Sequence, residues 1–475
     1  MNTTIVIFGA SGDLTWRKLI PALYNNYIKG RTPECTKIVG FARRRYTTDT
    51  FRQHLQEGVQ AFSPKSYDAA RWEEFAARLL YFQGDLDVPL DYMRLLSYLG
   101  EIEGENANRL YYLATSPEYY ALAVAAMGQA GLAQQADGWR NIIIEKPFGH
   151  DLESAQALNR AAHAVFTESQ VYRIDHYLGK ETAQNILYFR FANTIFEPVW
   201  NRRYVDNIQI TVGESVDIAR RAGYYDQVGV VRDMFQNHLM QLLSLVAMEP
   251  PSSFEADAVR NEVYKLLSSI RPVKLEETVR AQYEGYSDTE GIAPRSQTPT
   301  FAAIKLYIDN WRWKGVPIYL RSGKALRRKC SEIVIEFQRP PHLMFHLTDE
   351  SLFTPNILTL YIQPDEGIHL LFEAKQPDSD QGMHSVNMDF HYTDFFTGEL
   401  PDAYERLLLD ALQRDASLFT RSDCIEVAWK LVDPIIRGWE SHNIPKLTCY
   451  PPATWGPVEA DFLLEQEGRM WREAH

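Results

Sequence analysis

The sequence predicts an α/β domain on a parallel sheet over residues 1–180, followed by a larger α+β domain over 181–475 built on a large mixed, mainly antiparallel sheet. Three observations carry this. Up to about residue 180, short apolar runs alternate with helical patterns, as βαβ units require. Beyond it, several strand-like runs follow one another with no helix between, so neighbouring strands join antiparallel. A chain of 475 residues is also about three times the ~150-residue domain prior. No Gly/Ser-rich linker marks the change of texture, and no internal repeat is visible.

The elements follow in order. Ile5–Phe8 is an apolar run of strand length. From Leu14 to about Ile28, Leu19, Leu23 and Tyr27 recur on one side, which predicts a helix with a bend at Pro21. Lys37–Ala42, Phe75–Phe82, Arg109–Ala114 and Asn141–Glu145 supply further strands, and alanine-rich Ala121–Gly131 a helix. Asp151 is the N-cap of a helix running to about Glu168, and Glu153 suits its positive end. In the second part Ile208–Val212, Phe301–Ile308, Ile318–Arg321, Glu332–Phe337, Ile357–Gln363, His369–Lys375 and Val386–Tyr392 read as strands. Val230–Met248, Pro401–Asp415 and roughly Asp423–Glu440 read as long helices.

Charge and cysteine usage narrow the function classes. Forty-nine basic against 62 acidic side chains leave a net charge of −13, which argues against a nucleic-acid binder while leaving room for a basic patch toward a small anion. Cys35, Cys330, Cys424 and Cys449 form no C-x-x-C pair, so neither a zinc ribbon nor a dithiol motif is supported, and a reducing cytosol is expected. The N-terminus lacks the basic and apolar regions of a signal peptide, and no apolar run approaches the ~18 residues of a membrane span. The expectation is a cytoplasmic protein with no metal, no nucleic-acid partner and no membrane.

Six segments carry chemistry. The strand–turn–helix Gly9-Ala10-Ser11-Gly12-Asp13-Leu14 suits a dinucleotide, because glycines there let backbone N–H groups approach a pyrophosphate. An ordinary tight turn would look similar, and the later glycines of G-x-G-x-x-G are replaced. The next strand ends in Arg43-Arg44-Arg45, where an acid would favour NAD and a forked cation favours a 2′-phosphate, hence NADP. Lys146 follows a strand at the sheet end where ligands bind, although a solvated lysine would look the same. Arg173-Ile174-Asp175-His176-Tyr177-Leu178-Gly179-Lys180 puts three phosphate donors, His176, Tyr177 and Lys180, beside an acid, Asp175, that cannot serve a phosphate and suits a histidine instead. A capped helix start would also fit that composition. Asp233, Gln236, Asn237 and His238 lie in an otherwise apolar helix, so they form either a paired network or the wall of a cleft. Lys324, beside Gly323 at a strand end, is a further phosphate contact or a charged turn.

Together these segments resemble the glucose-6-phosphate dehydrogenase family: GASGDLTWRKLIPALY at 9–24, EKPFG at 145–149, RIDHYLGKE at 173–181, YYDQVGVVRDMFQNHLMQLLSLVAME at 224–249, VPIYLRSGKAL at 316–326 and LPDAYERLLLD at 400–410. The blocks occur in family order across most of the chain. The resemblance implies a Rossmann-like first domain, a C-terminal domain for substrate binding and oligomerisation, and oxidation of D-glucose 6-phosphate at C1 to 6-phospho-D-glucono-1,5-lactone, the first step of the oxidative pentose phosphate pathway. It implies NADP as acceptor, with NAD a weaker alternative, and a homodimer or homotetramer.

By the same resemblance His238 is the general base and Asp175 its partner. His176, Tyr177, Lys180 and Lys324 hold the phosphate, and Lys146, Glu214 and Asp233 the sugar hydroxyls. Gly9, Ala10, Ser11, Gly12, Asp13, Leu14, Lys18, Arg43 and Lys146 fall on the cofactor side. Two departures stand out. Thr15-Trp16-Arg17 replaces the usual small residue and lysines, so Trp16 is expected to reshape the cofactor pocket. The loop 214–223 lacks a glycine-rich stretch and is expected to sit differently. A dehydrogenase of an unphosphorylated hexose should lack His176, Tyr177 and Lys180, and a silent regulatory subunit should lack His238 or Asp175. All five are present.

Overall fold

The computed structural model describes residues 2–104, 106–135, 138–218, 221–344, 353–378, 383–396, 400–442 and 444–472. The chain divides into two units. The first comprises Met1–Lys180, Pro251–Asn261 and Pro401–Glu426, and the second Glu181–Pro250, Glu262–Leu400 and Val427–His475. Among the described residues no helix is long and apolar enough to cross a membrane.

The first unit is built on six strands: β1 (Asn2–Phe8), β2 (Thr36–Ala42), β3 (Leu79–Gln83), β4 (Ala107–Leu113), β5 (Arg140–Ile144) and β6 (Val171–Arg173). They pair all-parallel in the order β3-β2-β1-β4-β5-β6. Ile5, Val6, Leu110 and Ile142 are fully buried, as strands covered on both faces must be. The order reverses on either side of β1, which opens a crevice at the C-terminal ends of β1 and β4. Two sequence expectations shift here. Phe75 belongs to a helix, Ala69–Ala76, and the strand begins only at Leu79. Asp68 caps that helix by accepting from Arg71 N, and Trp72, Phe75 and Ala76 bury one helical face. The helix capped by Asp151 ends at His163, short of Glu168, which opens a separate 3-10 turn.

The later segments complete this unit. On the helix Ala403–Gln413, the Glu405 carboxylate accepts from Asn25 (2.8 Å) and Lys29 (2.5 Å), and its carbonyl accepts from Asn26 (2.8 Å). Thr420 N donates to Arg173 O at 3.1 Å.

The second unit carries a nine-stranded sheet: β7 (Val205–Gly213), β8 (Thr278–Tyr283), β9 (Phe301–Leu306), β10 (Ile318–Gly323), β11 (Cys330–Phe337), β12 (Ile357–Gln363), β13 (Gly367–Lys375), β14 (Met383–His391) and β15 (Thr448–Tyr450). The order is β14-β13-β12-β11-β7-β10-β9-β8-β15. Only β7–β10 and β8–β15 pair parallel among these strands. A parallel pair needs a crossover, and the chain between β7 and β10 includes the helical stretch 222–247. That stretch is not the single α-helix predicted over Val230–Met248. Gly229, at φ +68°, breaks it. Val231–Leu239 is then wound as a π-helix before α-geometry resumes over Met240–Ala247.

Candidate active-site residues in each unit

At the exit of β1, Gly9 has φ +85°, and a Cβ there would meet the Ala114 carbonyl oxygen at 2.2 Å. Glycine is therefore required both by conformation and by the close approach of β4's end. Gly9 N and Ala10 N donate to Phe41 O (2.9 and 3.2 Å), and Gly12 N to Gly9 O (2.9 Å), so the turn is locked to the end of β2. Ala10 is buried, Ser11 and Gly12 half-buried and Asp13 exposed. Leu14 leads into a π-helical turn over Thr15–Leu19. Pro21 marks no bend: it sits in the first turn of the α-helix Ile20–Ile28, where its missing N–H is not needed.

Trp16 packs against the helix Thr48–Phe62. Its ring lies on Phe62 (5.0 Å, edge-on) and His54 (6.1 Å, stacked), and its Nε1 donates to His54 O at 3.1 Å. Gly58 makes the fit, since a Cβ there would lie 2.4 Å from Trp16 O. Lys18 forms an ion pair with Asp402 at 2.7 Å. Asp402 caps the helix Ala403–Gln413, accepting from Tyr404 N at 3.0 Å.

The three arginines after β2 are not equivalent. Arg44 donates to the Tyr46 hydroxyl at 2.8 Å and lies over its ring. Arg43 is exposed beside the glycine turn and makes no ion pair among the described residues. Its position at the end of β2 fits a 2′-phosphate, and the glycine turn fits a pyrophosphate, so the residues present suit a phosphorylated dinucleotide.

Beyond β5, a cis peptide joins Lys146 to Pro147. Directly before it lies a residue the sequence reading did not single out: Glu145 is buried, and its Oε1 accepts from the Tyr112 hydroxyl at 2.5 Å. Burial pushes this carboxyl up, and hydrogen bonds from Tyr112 and Tyr404 only partly offset that. Its E-K-P context was visible in the sequence, but its tyrosine partners come from distant positions.

After β6 the chain forms a turn, not a helix start, over His176–Gly179. Asp175 is buried, and its Oδ1 accepts from Tyr177 N at 2.9 Å. The His176 and Tyr177 rings lie 5.1 Å apart, and Lys180 Nζ sits 4.7 Å from the Tyr177 ring centroid. The three predicted phosphate donors thus form one cluster. Gly179 permits the turn, because a Cβ there would lie 2.7 Å from Ala403 O.

In the second unit Glu214 follows β7 and Lys324 follows β10, and the parallel pairing sets Gly213 opposite Gly323. Lys324 Nζ pairs with Glu214 and, at 3.3 Å, with Asp233; it lies 5.3 Å from the Tyr225 ring centroid. The Lys324 carbonyl accepts from the Tyr450 hydroxyl at 2.6 Å. The structure therefore groups Lys324 with the two acids assigned to sugar hydroxyls. In the loop 214–223, residues 219 and 220, with the departure read at them, lie outside the described residues.

His238 is 1% exposed, and its backbone N–H donates to Asn237 Oδ1 at 2.6 Å. It lies in the last turn of the π-helical segment, which ends at Leu239. A π-helix bonds i to i+5, so Asp233 and His238, five apart, stand one turn apart on the same side. In an α-helix they would diverge.

Comparison with known proteins agrees with this geometry. The family model "Glucose-6-phosphate dehydrogenase, NAD binding domain" matches residues 6–185, and "Glucose-6-phosphate dehydrogenase, C-terminal domain" matches 187–472. The glucose-6-phosphate 1-dehydrogenase of Aggregatibacter actinomycetemcomitans is 43% identical over 99% of this chain and 97% of its own. Glucose-6-phosphate 1-dehydrogenase 2 of Mycobacterium tuberculosis is 43% identical over 98% of this chain and 94% of its own. A solved glucose-6-phosphate dehydrogenase in complex with its substrate glucose-6-phosphate superposes with a TM-score of 0.92 at 35% identity, covering 99% of both chains. The Mycobacterium avium glucose-6-phosphate 1-dehydrogenase does so with a TM-score of 0.86, covering 100% of this chain and 99% of that one.

Proposed function

Because the chain belongs to the glucose-6-phosphate dehydrogenase family, we propose that it oxidises D-glucose 6-phosphate at C1 to 6-phospho-D-glucono-1,5-lactone with NADP as the preferred acceptor. When bound, the nicotinamide takes up the hydride. The observation that carries the substrate assignment is the cluster of His176, Tyr177 and Lys180, three donors gathered in one turn. An unphosphorylated hexose would bring no anion to these donors.

Each residue has a definite task in this reading. His238, a neutral imidazole, accepts the proton of the C1 hydroxyl at a ring nitrogen. Asp175 fixes the tautomer of that imidazole and stabilises its protonated form. His176, Tyr177 and Lys180 grip the phosphate far from the reacting carbon, so the binding there orients C1. Lys146, Glu214 and Asp233 address the sugar hydroxyls; Lys324, placed at the phosphate by the resemblance, is tied to both of these acids. Residues 9–14 and Lys18 serve the cofactor side, and Arg43 its 2′-phosphate. No metal is required by these steps.

The first unit, residues 1–180 with the later segments 251–261 and 401–426, acts as the cofactor-binding domain, and the second unit as the substrate-binding and oligomerisation domain. A homodimer or homotetramer is supported by Met388, Phe395 and Phe396, apolar side chains on and after β14 that are 57–68% exposed. Cytoplasmic work is supported by four free cysteines. Near-ultraviolet absorbance of reduced cofactor tests the reading, with glucose 6-phosphate against glucose and NADP against NAD. A signal with glucose 6-phosphate and NADP is expected, and much weaker signals with the other pairings. Equal rates with glucose would remove the phosphate assignment, and equal rates with NAD would remove that of Arg43.

A further inference from the structure

At the ends of β7 and β10 remote from Glu214 and Lys324, the second unit has a cleft of about 320 Å³ lined by Arg202, Arg203, Asp206, Lys314, Gln338 and Arg469. β7 starts at this cleft and runs nine residues to its other end, which at about 3.3 Å per residue is roughly 30 Å. Two turns supply the cations. Arg202 N donates to Arg312 O at 2.8 Å, which holds the turn before β7 against the turn before β10, and Lys314 N donates to Asn310 O at 3.0 Å.

The charges here do not cancel. Asp206 is answered by Arg469 through two bonds of 2.7 and 3.0 Å. Burial pushes that carboxyl up, but hydrogen bonds from Arg469 and Asn207 outweigh it and hold it below the usual carboxylate range. Arg469 also pairs with Glu467 at 2.6 Å, so its own charge is spent. Arg202, Arg203 and Lys314 make no ion pair among the described residues. Three exposed cations without a carboxylate in ion-pair contact among the described residues thus border one concavity in a chain of net charge −13, and of the three Lys314 feels a nearby acid, Asp309. A bound polyanion would offset their mutual repulsion, most strongly at low salt.

We propose that this cleft binds a small anion bearing a chain of two or three phosphates, with Arg202, Arg203 and Lys314 as its ligands. Cations from two separate turns match a row of phosphates better than a single one, and the guanidinium fork suits phosphate oxygens. The phosphate chain is common to inorganic tripolyphosphate and to nucleoside triphosphates. Trp311, 96% exposed on the turn that carries Lys314, offers a ring on which a base could stack.

Calorimetric titration of the full chain at low salt, without divalent metal, tests this with sodium tripolyphosphate, ATP and inorganic phosphate. The Arg203→Ala/Lys314→Ala double variant and Lys180→Ala serve as comparisons. Saturable tripolyphosphate binding is expected, weakened at least about tenfold in the double variant and unchanged in Lys180→Ala. Inorganic phosphate should bind far more weakly at the cleft. Tighter binding of ATP that falls to the tripolyphosphate level in Trp311→Ala identifies a nucleotide, and equal binding of the two identifies the bare phosphate chain. The proposal is overturned if tripolyphosphate fails to bind, if the double variant with an unchanged melting temperature binds like the parent, or if the loss appears in Lys180→Ala instead.

Discussion

The proposed mechanism rests its chemistry on two side chains, His238 and Asp175. Replacing His238 by Asn keeps the size and part of the hydrogen bonding but removes the base. The expected outcome is a fall in kcat of about 10²–10⁴-fold with little change in KM for the sugar phosphate, read from initial rates. Glu145 offers a different measurement. Its folded carboxyl holds a proton more tightly than the unfolded one. Its contribution to stability is therefore complete below the unfolded value of about 4.3 and is lost as pH rises through the raised folded value. Glu145→Gln cannot ionise, so its melting temperature relative to the parent should rise between acidic and neutral pH. A constant difference across that range would mean the carboxyl titrates normally. At this scale the sequence was most informative where neighbours in the chain are neighbours in space: His176, Tyr177 and Lys180 could hardly avoid one another. Lys324, Glu214 and Asp233 meet from two strands and a helix, and only the β7–β10 register brings them together.

Among the elements, strands were legible wherever an apolar run was long enough to be buried on both faces. Those of the parallel sheet show this best, from Ile5–Phe8 to the Asn141–Glu145 run that forms β5, although Phe75–Phe82 is strand only from Leu79. β6 and β15, at three residues each, leave no period to read, and β8 hides Arg280 and Gln282 among its buried positions. The π-helical winding of Val231–Leu239 had no signature either, because the apolar spacing that follows is ordinary. Yet this winding decides which side chains share a face with His238. The Gly9 turn was read correctly as a site where glycine matters, but the structure adds a second reason in the approach of Ala114 O. Gly9→Ala combines a left-handed φ with a 2.2 Å contact. It should lower stability by more than the ~1 kcal/mol of a simple Gly→Ala strain and weaken dinucleotide binding, both checked by thermal melts with and without NADP.

For the molecule as a whole, the change of texture near residue 180 was visible, but the return of later segments to the first unit was not. Nothing in the composition of 401–426 distinguishes it from the chain around it; contacts such as those of Glu405 with Asn25, Asn26 and Lys29 and of Thr420 with Arg173 do so. A fragment ending at residue 185 should therefore melt well below the intact protein and bind a hydrophobic dye, as followed by fluorescence. Adding a peptide of residues 400–426 should partly restore it. On the ribosome the same arrangement imposes a schedule. The early strands emerge hundreds of residues before the helix that covers Asn26, so the nascent domain must wait, incomplete and exposed to chaperones, until translation is nearly finished.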